Sequence, residues 1–167
     1  LSLEWYFAPQ GSLTGVVFYK KVKDYIYSGV SQQTFTNNGV TYTFDVTQQQ
    51  NGEEGTVQGF EIAYQQFFDF LPGWLNGFGL QANYTYIERD YDAPTTPAIE
   101  PEGVPTHKLF AYADWQVTNT LTFTPSLEIA SDRWTTTATT PLIYYQTGDY
   151  TLLNAALSWQ VTPQADF

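Results

Sequence analysis

Residues 78–87 read Phe78-Gly79-Leu80-Gln81-Ala82-Asn83-Tyr84-Thr85-Tyr86-Ile87. One parity holds Phe78, Leu80, Ala82, Tyr84 and Tyr86; the other holds Gly79, Gln81, Asn83, Thr85 and Ile87. Side chains of a strand alternate between its two sides, so this stretch is extended, with one apolar and one polar face. Three later runs repeat the pattern. Leu109, Ala111, Ala113, Trp115 and Val117 alternate with Lys108, Phe110, Tyr112, Asp114 and Gln116. Leu121, Phe123, Pro125, Leu127 and Ile129 alternate with Thr122, Thr124, Ser126, Glu128 and Ala130. Leu153, Ala155, Leu157, Trp159 and Val161 alternate with Leu152, Asn154, Ala156, Ser158 and Gln160. No apolar face carries a charge. Pro125 has no N–H for a ladder, which predicts a bulge or local distortion there.

The same period runs upstream with less regularity. Leu1, Leu3, Trp5 and Phe7 alternate with Ser2, Glu4 and Tyr6, and Phe60, Ile62 and Tyr64 alternate with Glu61, Ala63 and Gln65. Residues 13–27, which include Val16-Val17-Phe18-Tyr19, are β-prone but leave their faces unassigned. Between the runs, connections alternate in length. Ala8-Pro9-Gln10-Gly11, the stretch 71–77, Val117-Thr118-Asn119-Thr120 and Thr162-Pro163-Gln164 are compact; 28–55, 90–106 and 135–148 are long and polar. The first long stretch is expected to hold its own hairpin around Thr41–Gln50, and Pro163-Gln164-Ala165-Asp166 reads as a turn.

Composition narrows the classes. The chain is 43% hydrophobic and 18% aromatic but only 14% charged, with 17 acids against 6 bases and a formal net charge of −11. Soluble domains carry about 25% charged residues. Nucleic-acid binding needs clustered Lys and Arg, and the one short basic cluster, Lys20-Lys21-Lys23, reads as a solvated strand end. Cysteine is absent, which excludes disulfides and thiolate metal sites. No apolar run approaches the roughly 18 residues of a transmembrane helix. A membrane crossing, if there is one, is made by strands.

The polar faces decide between a soluble sandwich and a membrane barrel. A solvated sandwich face should be rich in Lys and Glu. Here it carries mainly Gln, Asn, Thr, Ser and Tyr with a few acids (Glu61, Asp114, Glu128), which suits a wet but confined lumen. The charge-free face suits lipid, where a Lys or Arg costs about 2–4 kcal/mol at the midplane. Short turns at one end and long loops at the other are the rhythm of an outer-membrane barrel. Phe7, Trp74, Trp115 and Trp159 fall near the short-turn end, and Tyr84, Tyr86, Trp134 and Tyr150 near the long-loop end, as two interfacial belts would require. The expected fold is therefore all-β: an antiparallel up-and-down meander forming a partial transmembrane β-barrel, with about seven spanning strands.

Two stretches then carry a resemblance: Gly59-Phe60-Glu61-Ile62-Ala63-Tyr64-Gln65, and residues 71–86 with Leu71-Pro72 and Asn83-Tyr84-Thr85-Tyr86. With His107-Lys108-Leu109-Phe110 and residues 148–154 following in order, the chain resembles the C-terminal part of the TonB-dependent outer-membrane receptors over nearly its whole length. The resemblance implies a barrel of about 22 strands around a plug, residence in the bacterial outer membrane in contact with its lipid, and TonB-driven uptake of a scarce nutrient. Ferric siderophores are the commonest substrates; haem, cobalamin and glycans are others. On this reading residues 1–167 are a single barrel segment. The plug, the TonB-contacting motif and two final strands lie outside the sequence.

Catalytic and metal chemistry find little footing. His107 is the sole histidine and no Gly-x-Ser-x-Gly elbow exists, so the expectation is no enzyme and no cofactor. The acids Glu53-Glu54, Glu88, Asp90, Asp92, Glu100 and Glu102 lack calcium-loop spacing and read as solvated loop residues. For ligand contact the candidates are Trp134, Tyr144 and Tyr145, whose rings could stack on a ligand or sugar. Two other functions compete with the receptor: a passive porin-like barrel and a soluble carbohydrate-binding β-sandwich. A barrel enzyme using His107 is a third.

Overall fold

The computed structural model describes residues 1–52, 54–91, 103–137, 143–162 and 165–166. In chain order the strands are β1 (Ser2–Ala8), β2 (Gly11–Lys23), β3 (Ile26–Asn37), β4 (Val40–Asn51), β5 (Glu54–Phe67) and β6 (Phe78–Tyr91). There follow β7 (His107–Thr118), β8 (Leu121–Ala130), β9 (Arg133–Thr137), β10 (Ile143–Thr147), β11 (Tyr150–Thr162) and β12 (Ala165–Asp166). One 3-10 turn, Gly73–Leu75, sits in the β5–β6 connection. The main sheet has the order β1-β2-β5-β6-β7-β8-β11-β12, and β3-β4 and β9-β10 form separate two-stranded ribbons at its long-loop end. All pairings are antiparallel, so the sheet is an open meander, and two of its long connections carry the ribbons.

Register joins the separate alternations into two continuous faces, because directly paired residues share a side. One row runs Gly15–Ile62–Tyr84–Leu109–Ile129–Thr151. A second, near the short-turn end, runs Phe78–Trp115–Phe123–Leu157. The apolar face assigned to each run in the sequence is thus one surface across β5–β11. It extends to β2, whose faces the sequence left open: Leu13 pairs Tyr64, Gly15 pairs Ile62 and Val17 pairs Phe60, so these three face outward.

This surface has nothing beneath it within the described residues. Leu153 is 75% exposed, Leu157 62%, Trp5 61% and Trp159 56%, while Ala130 and Gln66 are, glycines apart, the buried residues of the described chain. A soluble domain rarely shows an apolar patch of such extent, and a bilayer supplies the missing contact. From Phe78 to Tyr86 the strand rises ~26 Å, or about 20 Å of depth at a barrel tilt near 40°, close to the height of an outer-membrane apolar band.

Three expectations are corrected or narrowed. The hairpin in the first long stretch is larger than expected, running from Ile26 to Asn51. Its turn falls at Asn38-Gly39 with φ of 50° and 78°, ahead of Thr41. Asn-Gly is the type I′ pair that favours a two-residue hairpin loop. Next, of the bulge or local distortion expected at Pro125, the structure has the distortion without the bulge. The β7–β8 register is the same on both sides of it, Tyr112 with Ser126 and Trp115 with Phe123, although pairing skips Ala113 and Asp114 opposite Pro125 and Thr124. Thr124 there donates its hydroxyl to the Asp114 carboxylate at 2.8 Å. Finally, Ala165–Asp166 is not part of a turn but a short strand paired with β11; Pro163 and Gln164 lie outside the described residues.

Candidate transport wall and loop site

The face opposite the lipid belongs to the lumen. Across β5, β6 and β7, Gln81 donates to Gln65 Oε1 at 2.9 Å and Tyr112 donates its hydroxyl to Gln81 Oε1. Ser12, Thr14 and Asn83 join these groups around a shallow concavity of about 360 Å³. Each amide and hydroxyl both donates and accepts, so the wall satisfies itself sideways while still offering polar atoms to whatever fills the lumen.

Higher on the same face, charged groups gather around Glu128. Lys108 Nζ lies 3.1 Å from Glu128, Tyr150 donates its hydroxyl to the same carboxylate at 2.8 Å, and Arg133 stands 5.9 Å over the Tyr150 ring. Tyr150 therefore does not belong to the outer aromatic belt. It pairs with Ala130, which pairs with Lys108, on the lumenal side. The sequence placed it by height alone, and the face depended on one residue of strand start.

The other belt residues named from the sequence lie on the lipid face, except Trp134, whose side chain lies outside the described residues. At the short-turn end Trp5 meets Phe7 at 5.4 Å, Phe7 meets Tyr64 at 6.0 Å, and Trp74 meets Trp115 at 5.2 Å. At the long-loop end Phe60 meets Tyr84 and Tyr86 at 5.8 and 5.5 Å. His107 joins them: its register partner is Tyr86, its ring centroid lies 5.1 Å from that of Tyr86, and its Nδ1 is 2.7 Å from the Tyr84 hydroxyl. The one histidine is thus an outward-facing interfacial ring, a role its position after Pro105-Thr106 did not reveal.

Above Tyr19, β2 leaves the lipid zone. Lys21 and Lys23 there reach Glu54 at 2.6 and 3.2 Å, where the β3–β4 ribbon returns to the sheet. The hydrogen bond and charge of Lys21, then Lys23, hold the Glu54 carboxyl below its ordinary range, and the same contact holds Lys21 above its own. The lysine cluster read as a solvated strand end is, in part, the clasp of this ribbon.

The loop candidates all fall on the β9–β10 ribbon. Tyr145 is half exposed and pairs with Thr135, whereas Trp134 pairs with Gln146 and Tyr144 with Thr136. Trp134 and Tyr144 share one parity of the β9–β10 ribbon and Tyr145 has the other; the side chains of Trp134 and Tyr144 lie outside the described residues. So do Glu53, Asp92, Glu100 and Glu102. Among the described residues no three His, Asp or Glu side chains converge as metal ligands would.

Lipid-facing apolar strands, two aromatic belts, a hydrogen-bonded lumenal wall and long loops at one end define a segment of a transmembrane β-barrel of the outer-membrane type. The family model of the TonB dependent receptor-like β-barrel matches residues 1–167. The chain belongs to that family. Among curated proteins none matches it. Membership carries the outer-membrane receptor and transporter class, with TonB dependence and bacterial outer-membrane residence as the family's general attributes.

Proposed function

We propose that this segment forms part of the wall and mouth of a receptor that imports a ferric siderophore, working by ligand capture and energy-coupled transport and not by catalysis. The observation that carries this reading is the lumenal face itself. Neutral donors and acceptors such as Gln65, Gln81 and Tyr112 line it, with the acids Glu61 and Asp114 among them and the Lys108–Glu128 pair near the mouth. Such a wall lets a bulky polar complex pass without trapping it. Long connections at 29–55, 90–106 and 134–148 contribute to the entrance, with Trp134, Tyr144 and Tyr145 as ligand-contact candidates. His107, held in the lipid-side belt, is poorly placed for hydrolysis in an aqueous lumen.

The test is uptake by the complete receptor in cells stripped of their own iron receptors. Radiolabelled ferric hydroxamate, catecholate and citrate complexes should accumulate only when TonB is present. Equal passage of small solutes with and without TonB supports a porin instead, and loss of an enzymatic activity in His107→Ala supports a barrel enzyme.

A further inference from the structure

Three Asn-Gly pairs occur in the sequence: Asn38-Gly39, Asn51-Gly52 and Asn76-Gly77. The fold treats them differently. Asn51-Gly52 closes the base of the β3–β4 ribbon, where the Gly52 N–H donates to the Tyr25 carbonyl at 2.7 Å and Gly52 is buried against the Tyr25 ring. Asn76-Gly77 ends the β5–β6 connection. Gly77 is buried too: its carbonyl accepts the Gln116 N–H at 3.1 Å, and a Cβ added there would stand 3.0 Å from Gln116 Cβ. Asn38-Gly39 is the two-residue loop at the ribbon's tip. Both residues are exposed, and a Cβ on Gly39 would meet nothing within 4 Å. The ladder closes at Asn37–Val40, and among the described residues the Gly39 N–H has no hydrogen-bond partner.

We infer that Asn38 is a site of spontaneous covalent modification, a ring closure that replaces the amide at the ribbon's tip with a carboxylate. The Gly39 amide nitrogen gives its proton to solvent base and attacks Asn38 Cγ. A C–N bond forms there as the Cγ–Nδ2 bond breaks, and the side-chain nitrogen leaves with a proton as ammonia. Water then opens the resulting cyclic imide. Opening at the side-chain carbonyl gives aspartate; opening at the main-chain carbonyl gives isoaspartate, whose chain runs through the former side chain. One water enters and one ammonia leaves, so neither oxidant nor metal is needed.

Local structure selects the tip. The attack requires the peptide between Asn38 and Gly39 to turn about the Asn38 ψ. That motion breaks no ladder bond, and the loop it opens holds Asn38 at a φ of 50°, a left-handed conformation costly to a residue with a Cβ. At the other two pairs the same motion must first expose a buried glycine and break its hydrogen bond. The product alters the ribbon in two ways. Isoaspartate adds a carbon to the main chain, so the loop loses the type I′ geometry that holds the register. Residues 26–51 contain no Lys or Arg and one acid, Asp45, so the new carboxylate has no counter-ion on the ribbon. Each molecule thus carries a mark of its age at the long-loop end, whatever ligand the receptor takes.

The experiment uses the full-length receptor, folded in lipid vesicles and held at mildly alkaline pH in water labelled with heavy oxygen. Mass spectrometry then compares the peptides that cover the three pairs, and an isoaspartate-specific methyltransferase gives a second readout. Asn38 should take up label about tenfold faster than Asn51 or Asn76, with isoaspartate outweighing aspartate. In the unfolded receptor the three rates should converge. Gly39→Ala, which sets a methyl group beside the attacking nitrogen, should slow labelling at Asn38; heat-resistant migration on gels reports that this variant folds. Labelling at Asn38 no faster than at the other two pairs in the folded receptor overturns the proposal, as does undiminished labelling in folded Gly39→Ala. Aspartate without isoaspartate overturns it equally, because direct hydrolysis of the amide passes through no ring.

Discussion

Trp115 donates its indole N–H to the carbonyl oxygen of Trp74 at 2.8 Å, with the two ring centroids 5.2 Å apart. The contact fastens the β5–β6 turn to β7 at the level of the short-turn belt. It answers two needs together: the turn's carbonyl gains a donor, and both indoles sit where an apolar body and a polar edge are each satisfied. Trp115→Phe keeps the ring and removes the donor, so it should cost about 0.5–1.5 kcal/mol. Trp115→Ala should cost more. Equilibrium unfolding of the receptor in lipid vesicles measures both; an unchanged stability in Trp115→Phe would mean that the hydrogen bond contributes nothing.

The central lipid-facing row contains Ala111, Leu127 and Leu153. Leu127→Arg should destabilise the barrel by about 2–4 kcal/mol. On the lumenal side, Ser126→Arg should cost far less, since water reaches that face. The two substitutions are adjacent in sequence, so a difference between them in the same unfolding assay isolates the environment from the residue. Similar costs would contradict the assignment of faces.

That assignment was legible in the sequence wherever alternation was strict, as in β6, β7, β8 and β11. Each of those strands borders lipid on one side and lumen on the other, so every residue is informative. β2 was opaque because Val16, Val17, Phe18 and Tyr19 are apolar on both parities; only pairing with β5 sorts them. Asn38-Gly39 held a hairpin signal that fixes the ribbon's turn, and reading it would have placed β3 and β4 correctly. Tyr150 and His107 were misjudged or undervalued for a different reason. Each begins a strand after a loop, where height is readable but the face depends on register. The Lys21–Glu54 clasp joins residues far apart in sequence, and no local pattern announces it.

Gly59 shows what the Gly-Phe-Glu stretch requires physically. A Cβ at this position would stand 2.0 Å from the Tyr86 carbonyl oxygen and 2.8 Å from the Phe18 ring. The ring can swing aside, but the Tyr86 backbone belongs to the β5–β6 ladder and cannot move without loosening it. Gly59→Ala should therefore cost about 1–3 kcal/mol, as overpacking does elsewhere. Combining it with Phe18→Ala should recover only the ring's share. Full recovery in the double variant would show that the side chain, and not the strand backbone, sets the limit.

The clasp at the ribbon's base gives the chain a pH dependence whose sign follows from its partners. Glu54 has a folded carboxyl pKa below the ordinary value, so its contribution is present above the ordinary carboxylate range and is lost as pH falls through the depressed value. Lys21 has a raised pKa, so its contribution persists below the ordinary lysine value and is lost as pH climbs through the elevated one. Between these limits the ribbon is tied down. Both partners are about half exposed, with side-chain exposures of 50% and 41%, so the effect on global stability is small and salt-sensitive. It should appear locally instead. Proteolysis of residues 24–52 should accelerate in acid at low ionic strength, while cleavage elsewhere stays constant. Glu54→Gln should show fast ribbon cleavage already at neutral pH and lose the acid dependence. Retention of that dependence in the variant would place the titrating group elsewhere.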